Sequence, residues 1–268
     1  MLYTSGTLEP VRHWATLESD PESCTTGLPN HKYGSDHLPI GAVFRLISIP
    51  QLSQGRKDEL LRMVKDMIGE MFGRASEILN EHLAGAADKF EMQFAVFRNY
   101  SSGPASLLEF SAWRSNPEDL KEFLKKTQAS GGQGNEALEI GFWHANQQAH
   151  LRRVIVIGDA DHNTEQDVIN KRKKYGEGRY RGTKYEKPTF AEVEMKQLKE
   201  KEIPIDTFYI NYRCQQCFEK MAAYTGGKVF PLSMTKPEGR ETLIEHLTTT
   251  ILKLVGGGGK GDDLVAAY

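Results

Sequence analysis

The spacing of apolar residues changes several times along the 268-residue chain, and each change marks an element. Ile40-Gly41-Ala42-Val43-Phe44-Arg45-Leu46-Ile47-Ser48-Ile49 is rich in β-branched and aromatic side chains and stops at Pro50, the pattern of a strand. From Arg56 the period becomes helical. Leu60, Leu61, Val64, Met67, Ile68, Met71 and Phe72 share one stripe, which Ile78, Leu79, Leu83 and Ala86 continue past an expected kink at Gly73. Phe90 to Phe97 alternates and then runs apolar, as a strand entering a covered sheet does, and Leu107 to Ser111 reads as a short strand paired nearby. Asn116-Pro117-Glu118-Asp119 predicts a helix start, because Asn caps, Pro suits the first position and acids favour the positive end of the dipole.

Further on, Ser130-Gly131-Gly132-Gln133-Gly134-Asn135-Glu136 leads into a helix carrying Leu138, Ile140, Trp143 and Ala145. Arg153 to Asp159 is an unbroken apolar run ending in Gly-Asp, which predicts the most buried parallel strand of the chain. A polar, basic insertion, Lys171 to Lys187, precedes a helix from about Phe190 to Lys201. Then come a strand from Ile203 to Ile210, a helix from Cys217 to Thr225, a strand from Gly227 to Leu232 and an amphipathic helix from Leu243 to Val255. The run Gly256 to Gly261 has the composition of a flexible linker. Alternating strands and helices predict an α/β fold, a doubly wound, mostly parallel sheet with helices on both faces. An irregular N-terminal segment, punctuated by Pro10, Pro21, Pro29 and Pro39, precedes it.

Charge changes the picture little: 34 Lys and Arg against 36 Asp and Glu leave a net charge of -2 and no overall pull toward nucleic acid or membrane. No stretch approaches the roughly 20 apolar residues of a membrane span. The N-terminus MLYTSGTLEPVRHW has neither the basic nor the apolar region of a secretion signal, so an intracellular, cytoplasmic protein is expected. Three cysteines make no disulfide framework. Cys214-Gln215-Gln216-Cys217 has the spacing of a zinc half-site or a dithiol, but Cys24 and distant histidines are weak support, and ordinary cysteines near a helix start are expected. The bases of the insertion, interleaved with Tyr175, Tyr180 and Tyr185, have the composition of a nucleic-acid patch. Glu177 and Glu186 dilute it, so a solvated loop is expected and nucleic acid is not. Gly132-Gln133-Gly134 lacks a following Gly-Lys-Ser/Thr and reads as a turn rather than a phosphate cradle. His144 reads as a partly buried histidine, and Met63, Met67 and Met71 as packing residues.

Three ordered stretches carry a resemblance: Phe94 to Tyr100, Gly131 to Glu139, and Ile155 to Asp161. With Phe208-Tyr209-Ile210 and Tyr224 to Lys228 they resemble von Willebrand factor A domains, especially a protist-type branch, over about Leu60 to Val255. The resemblance implies a Rossmann-like sheet with its ligand site at the carboxyl ends of the strands. It also implies a metal-ion-dependent adhesion site, built from Asp-x-Ser-x-Ser after the first strand, a Thr from a second loop and an Asp from a third. Only the third matches, at Asp159. The second loop offers Asn135 and Glu136 without Thr, and no acid stands between Asp36 and Asp58, so the first-strand motif is absent. One Asp with hydroxyls is a poor cage for a hard cation. A degenerate site is therefore expected, with Mg²⁺ at Asp159 the minor alternative. The resemblance places a protein partner on a loop face holding Tyr100, Gly132, Asn135, Glu136, Asp159 and Asp161.

Tyr3 to Leu8, Gly27 to Asn30 and Ser35-Asp36-His37-Leu38-Pro39 resemble the end of an exonuclease-endonuclease-phosphatase domain of the deadenylase type. There the Asp orders a metal centre and the His contacts the scissile phosphate, which makes Asp36 and His37 a catalytic remnant. Metal-assisted phosphodiester hydrolysis needs several further carboxylates, so this remnant alone is expected to be inert. The implied division is 1–45 as phosphodiesterase remnant, 46–255 as A-type domain and 256–268 as Gly-rich tail. A chain joined from two genes is favoured over a native fusion, because neither half is complete. The strand at 40–49 is apolar enough to stand in for the missing first strand. The leading expectation is a non-enzymatic interaction module. The alternative is a truncated or fused Mg²⁺-dependent nuclease or phosphodiesterase carrying that module.

Overall fold

In the computed structural model the chain forms two compact units, Met1–Pro50 and Gln51–Tyr268. The structure describes residues 8–13, 42–46, 54–83, 90–127, 134–233 and 236–268, with side chains from residue 62 onward. In the first unit β1 (Leu8–His13) pairs antiparallel with β2 (Ala42–Leu46), Leu8 opposite Leu46 and His13 opposite Ala42. The register shifts between Pro10 and Arg12, beside the residue that has no N–H to give the ladder. Of the strand expected over 40–49, Ala42–Leu46 lies within the described residues and pairs with β1 in a two-stranded sheet.

The second unit begins with α1 (Gln54–His82), which runs through Gly73 as one helix of 29 residues. Next, β3 (Ala95–Phe97) and β4 (Leu108–Phe110) form an antiparallel pair joined by two short 3-10 turns. The helix α2 (Pro117–Lys126) starts as predicted, with Asn116 Oδ1 accepting from the Glu118 N–H at 2.9 Å. Then come α3 (Leu138–Asn146), β5 (Val154–Gly158), α4 (Glu165–Tyr175), α5 (Ala191–Glu200), β6 (Ile205–Tyr209), α6 (Gln215–Thr225), β7 (Val229–Pro231), α7 (Pro237–Gly256) and α8 (Gly258–Ala267). Strands β5, β6 and β7 form a parallel sheet in that order.

The two-residue period of a strand decides which helices each side chain meets. Ile155, Ile157 and Phe208 join a core with α1, α2, α7 and α8, while Val154, Val156 and Ile205 join another with α3, α5 and α6. The second unit is therefore α/β, a three-stranded parallel sheet flanked by helices. Three expectations are corrected. The most buried strand is β6, every residue of which is buried, whereas only Val156 of β5 is. It lies between two partners, and its Asp206 and Thr207 disguise that position in the sequence. The basic insertion is a solvated loop only in part: α4 covers its first residues and Arg172, Tyr180 and Tyr185 are buried, while Lys173, Lys174, Arg179, Arg181, Lys184 and Lys187 are exposed. Nor is the Gly-rich tail a linker, since it folds as α8 and sends Leu264 into the first core.

Asp206, fully buried on β6, ties the sheet to its surroundings. Its carboxylate accepts two bonds from Arg153 Nη1 at 2.8 Å, one from the Lys228 N–H at 2.8 Å, and faces His246 Nε2 at 2.7 Å. Burial by itself would raise this carboxyl, but the bonds from His246, Lys228 and Arg153 outweigh it and hold it below the ordinary aspartate value. Gly227 lets β7 approach: a Cβ there would stand 2.0 Å from Ile205 O and 3.0 Å from Asp206 Oδ1. A buried pair that loses one partner leaves an uncompensated charge. Asp206→Ala is therefore expected to lower unfolding free energy in urea by about 3–5 kcal/mol at neutral pH. A depressed folded-state value means this stability is present above the ordinary aspartate range and is lost as pH falls through the lowered one, so wild type and variant should converge in acid.

Candidate functional site

Parallel sheets present ligand sites where the strands end. Here β5 ends at Gly158, and Asp159, Ala160, Asp161 and His162 lead to Thr164, which starts α4 through a capping box with Asp167. The 134–137 loop is bonded to that turn. The Glu136 N–H donates to Asp161 O at 3.2 Å, Asn135 Nδ2 to His162 O at 3.1 Å, and Asn163 Nδ2 to Glu136 O at 2.9 Å. From the end of β3, Asn99 Nδ2 donates to Asn135 O at 2.9 Å, while Arg98 O accepts from the Ala137 N–H at 3.2 Å. Lys171 Nζ also reaches Asn135 O from α4.

Of the residues expected on this face, Asn135, Glu136, Asp159 and Asp161 are brought together, all half-buried. Glu136 and Asp159 line one end of the same cavity. Tyr100 is corrected: it is fully buried, edge-on to Tyr180 at 6.2 Å, with its hydroxyl beside Glu139, so its ring is closed to a partner. Burial first and the Glu139 charge second push that hydroxyl far above an ordinary tyrosine. Gly132, Asp36 and His37 lie outside the described residues, as does Cys24. Asp159, expected as the one metal ligand, belongs to no group of three or more His, Cys, Asp or Glu side chains able to hold a metal among the described residues.

Sequence reasoning missed the buried framework beneath this face. Glu139 on α3 is fully buried and bonded by Asn163 Nδ2 at 3.0 Å; burial pushes its carboxyl up to about 7 against the pull of that bond. Arg172 on α4 is spent on Glu177, on Tyr185 O at 2.7 Å and on Glu186 O at 2.9 Å, and lies 4.1 Å over the Tyr180 ring. Three tyrosines among the bases were the available signal, since an aromatic ring beside a cation also suits a packed cation–π site. Tyr180 and Tyr185 are buried and offer no exposed face to a base.

Cys214 and Cys217 are free thiols, raised by burial to about 12 and about 11, and such neutral thiols are poor nucleophiles. His144 Nε2 bonds Gln93 Oε1 at 2.7 Å, its ring stacks on Phe110 at 4.2 Å, and burial lowers its pKa. No described helix is long and apolar enough to cross a membrane. In comparisons with known proteins the chain matches no family model and no curated protein.

Glu139 gives this face a pH signature. A carboxyl raised in the folded state contributes stability that is full below its unfolded value near 4.5 and is lost as pH rises through about 7. Thermal midpoints should therefore fall between pH 5 and 7.5, and Glu139→Gln should flatten that slope; an unchanged slope would place the titrating group elsewhere.

Proposed function

We propose that Gln51–Tyr268 is a von Willebrand factor A-type interaction module, non-enzymatic, whose degenerate adhesion site takes a protein partner. The observation that carries this reading is the bonded loop pair at the end of β5, which sets Glu136, Asp159 and Asp161 in one half-buried acidic rim. The parallel sheet, the helices on either side of it and the ligand position at a strand end all suit that fold. Asn99, Asn135 and Asn163 each donate to a loop carbonyl, and Asn163 also bonds the buried Glu139. Such a frame fixes the loops that a partner would meet.

The test is capture of a partner by the purified full chain, followed by a titration of that partner against wild type and Asp161→Lys. Saturable binding that weakens at least tenfold in Asp161→Lys, with an unchanged thermal midpoint, supports the reading. Hydrolysis of RNA that requires Mg²⁺ or Mn²⁺ and disappears in His37→Ala would overturn it in favour of the phosphodiesterase.

A further inference from the structure

A second cavity, of about 400 Å³, lies between the β3–β4 connection and the basic segment 171–187. Its size falls within the roughly 300–1,000 Å³ of small-molecule sites. Pro104, Ala105, Leu108 and Tyr185 give it an apolar wall, and its charged residues are two cations, Arg179 and Lys184. Among the described residues no acid lines it. The acids nearest in sequence are engaged elsewhere: Glu177 with Arg172, Glu186 with the Gly182 N–H at 3.3 Å, and Glu109 with Arg98 at 2.9 Å.

The chain positions Arg179 before any ligand arrives. Helix α4 ends at Tyr175, and Gly176 turns the backbone at φ 99°. Arg179 folds back against that turn: its Nη1 donates to Tyr175 O at 3.3 Å, and its Cδ lies 3.3 Å from where a Gly176 Cβ would stand. The guanidinium rests against Gly103, where a Cβ would overlap Nη2. Its other N–H groups meet no carboxylate among the described residues. Lys184 Nζ stands 5.0 Å from the ring centroids of both Phe110 and Tyr185, a cation–π attraction that holds the ammonium without neutralising it. In the same wall the half-buried Ser102 hydroxyl is bonded to no described residue, whereas the Thr183 hydroxyl already donates to Tyr180 O at 2.7 Å.

Two held cations without an acid call for a ligand with two negative charges. A phosphate monoester has about -1.5 to -2 near pH 7 and three strong acceptor oxygens. A guanidinium binds such a group through two parallel N–H bonds, and an ammonium serves it as a point charge. A carboxylate brings less charge and one oxygen fewer, and a diester gives up an oxygen to its second ester bond. We infer that this cavity binds a phosphate monoester carried on an apolar or aromatic group. Arg179 forks onto the phosphate, Lys184 and the Ser102 hydroxyl meet its remaining oxygens, and Pro104, Ala105 and Leu108 pack against the organic part. The site uses none of the acids or asparagines at the end of β5, so it stands or falls separately from the loop-face reading.

The probe is phenyl phosphate, titrated against the full chain at neutral pH by isothermal titration calorimetry. Expected is saturable binding, with benzoate and phenol, which keep the ring, at least tenfold weaker. Lys184→Gln should weaken binding at least tenfold at an unchanged thermal midpoint, because Lys184 is exposed and makes no hydrogen bond with a described residue. Arg179→Lys keeps the charge but loses the fork, and should also weaken binding at least tenfold. If that variant unfolds, Lys184→Gln and the benzoate comparison still decide. A tyrosine-phosphorylated peptide separates two sources of the same group: tighter binding than phenyl phosphate assigns the site to a phosphorylated protein, and equal or weaker binding to a small phosphorylated molecule, both in support. Absence of saturable phenyl phosphate binding, equal binding of benzoate, or indifference to Lys184→Gln overturns the proposal. So does tighter binding of a short single-stranded RNA that both variants weaken, which would make the segment a surface for polyanions.

Discussion

A carboxylate without water must find its partners within the protein, and Asp206 determines where several elements of the second unit go. Its position on β6 draws Arg153 from the start of β5, the backbone at Lys228 before β7 and His246 from α7. Strand order, the close passage at Gly227 and the seat of α7 all serve that one charge. Apolar contacts would accept several small shifts of these elements. Four hydrogen bonds to two oxygens accept few, because each one lost leaves part of a charge unsolvated.

The same separation of roles recurs at the carboxyl end of β5. Buried groups there hold position: Glu139, Asn163 and Arg172 fix the loops from beneath, while Glu136, Asp159 and Asp161 stay half in solvent. Under the interaction-module proposal, a partner would meet side chains that are already held in place, so little ordering would be needed at the moment of contact. Electrostatics at such a rim governs which partner approaches and in what orientation more than how tightly it is held.

Much of the second unit was legible in the sequence because its elements carry their own signals. Asn116 and Pro117 mark a helix start, and the stripe from Val64 to Phe72 has a helical period that packing retains. What failed was inference from polarity. Asp206 and Thr207 make β6 look less buried than it is, and the bases of 171–187 conceal Tyr180 and Tyr185, which complete a core with Val168. For the candidate site, residue types near Asp159 pointed to loops that the structure does bring together, since a turn after a buried strand is recognisable. Which of those residues face outward was not legible. Tyr100 and Glu139 are withdrawn by contacts with segments far along the chain, and no local pattern reports such contacts.

The glycines after Val255 show a further side of composition. A Cβ on Gly256 would stand 2.7 Å from Gly261 Cα and 2.8 Å from Leu264 Cδ1, and one on Gly261 would stand 2.8 Å from Lys253 O. The two last helices touch backbone to backbone, with no room for a side chain between them. A segment whose letters suggest that mutation could drift through it freely is thus among the least permissive in the chain. Each step away from glycine at Gly256 or Gly261 would pry α8, and Leu264 with it, from the core.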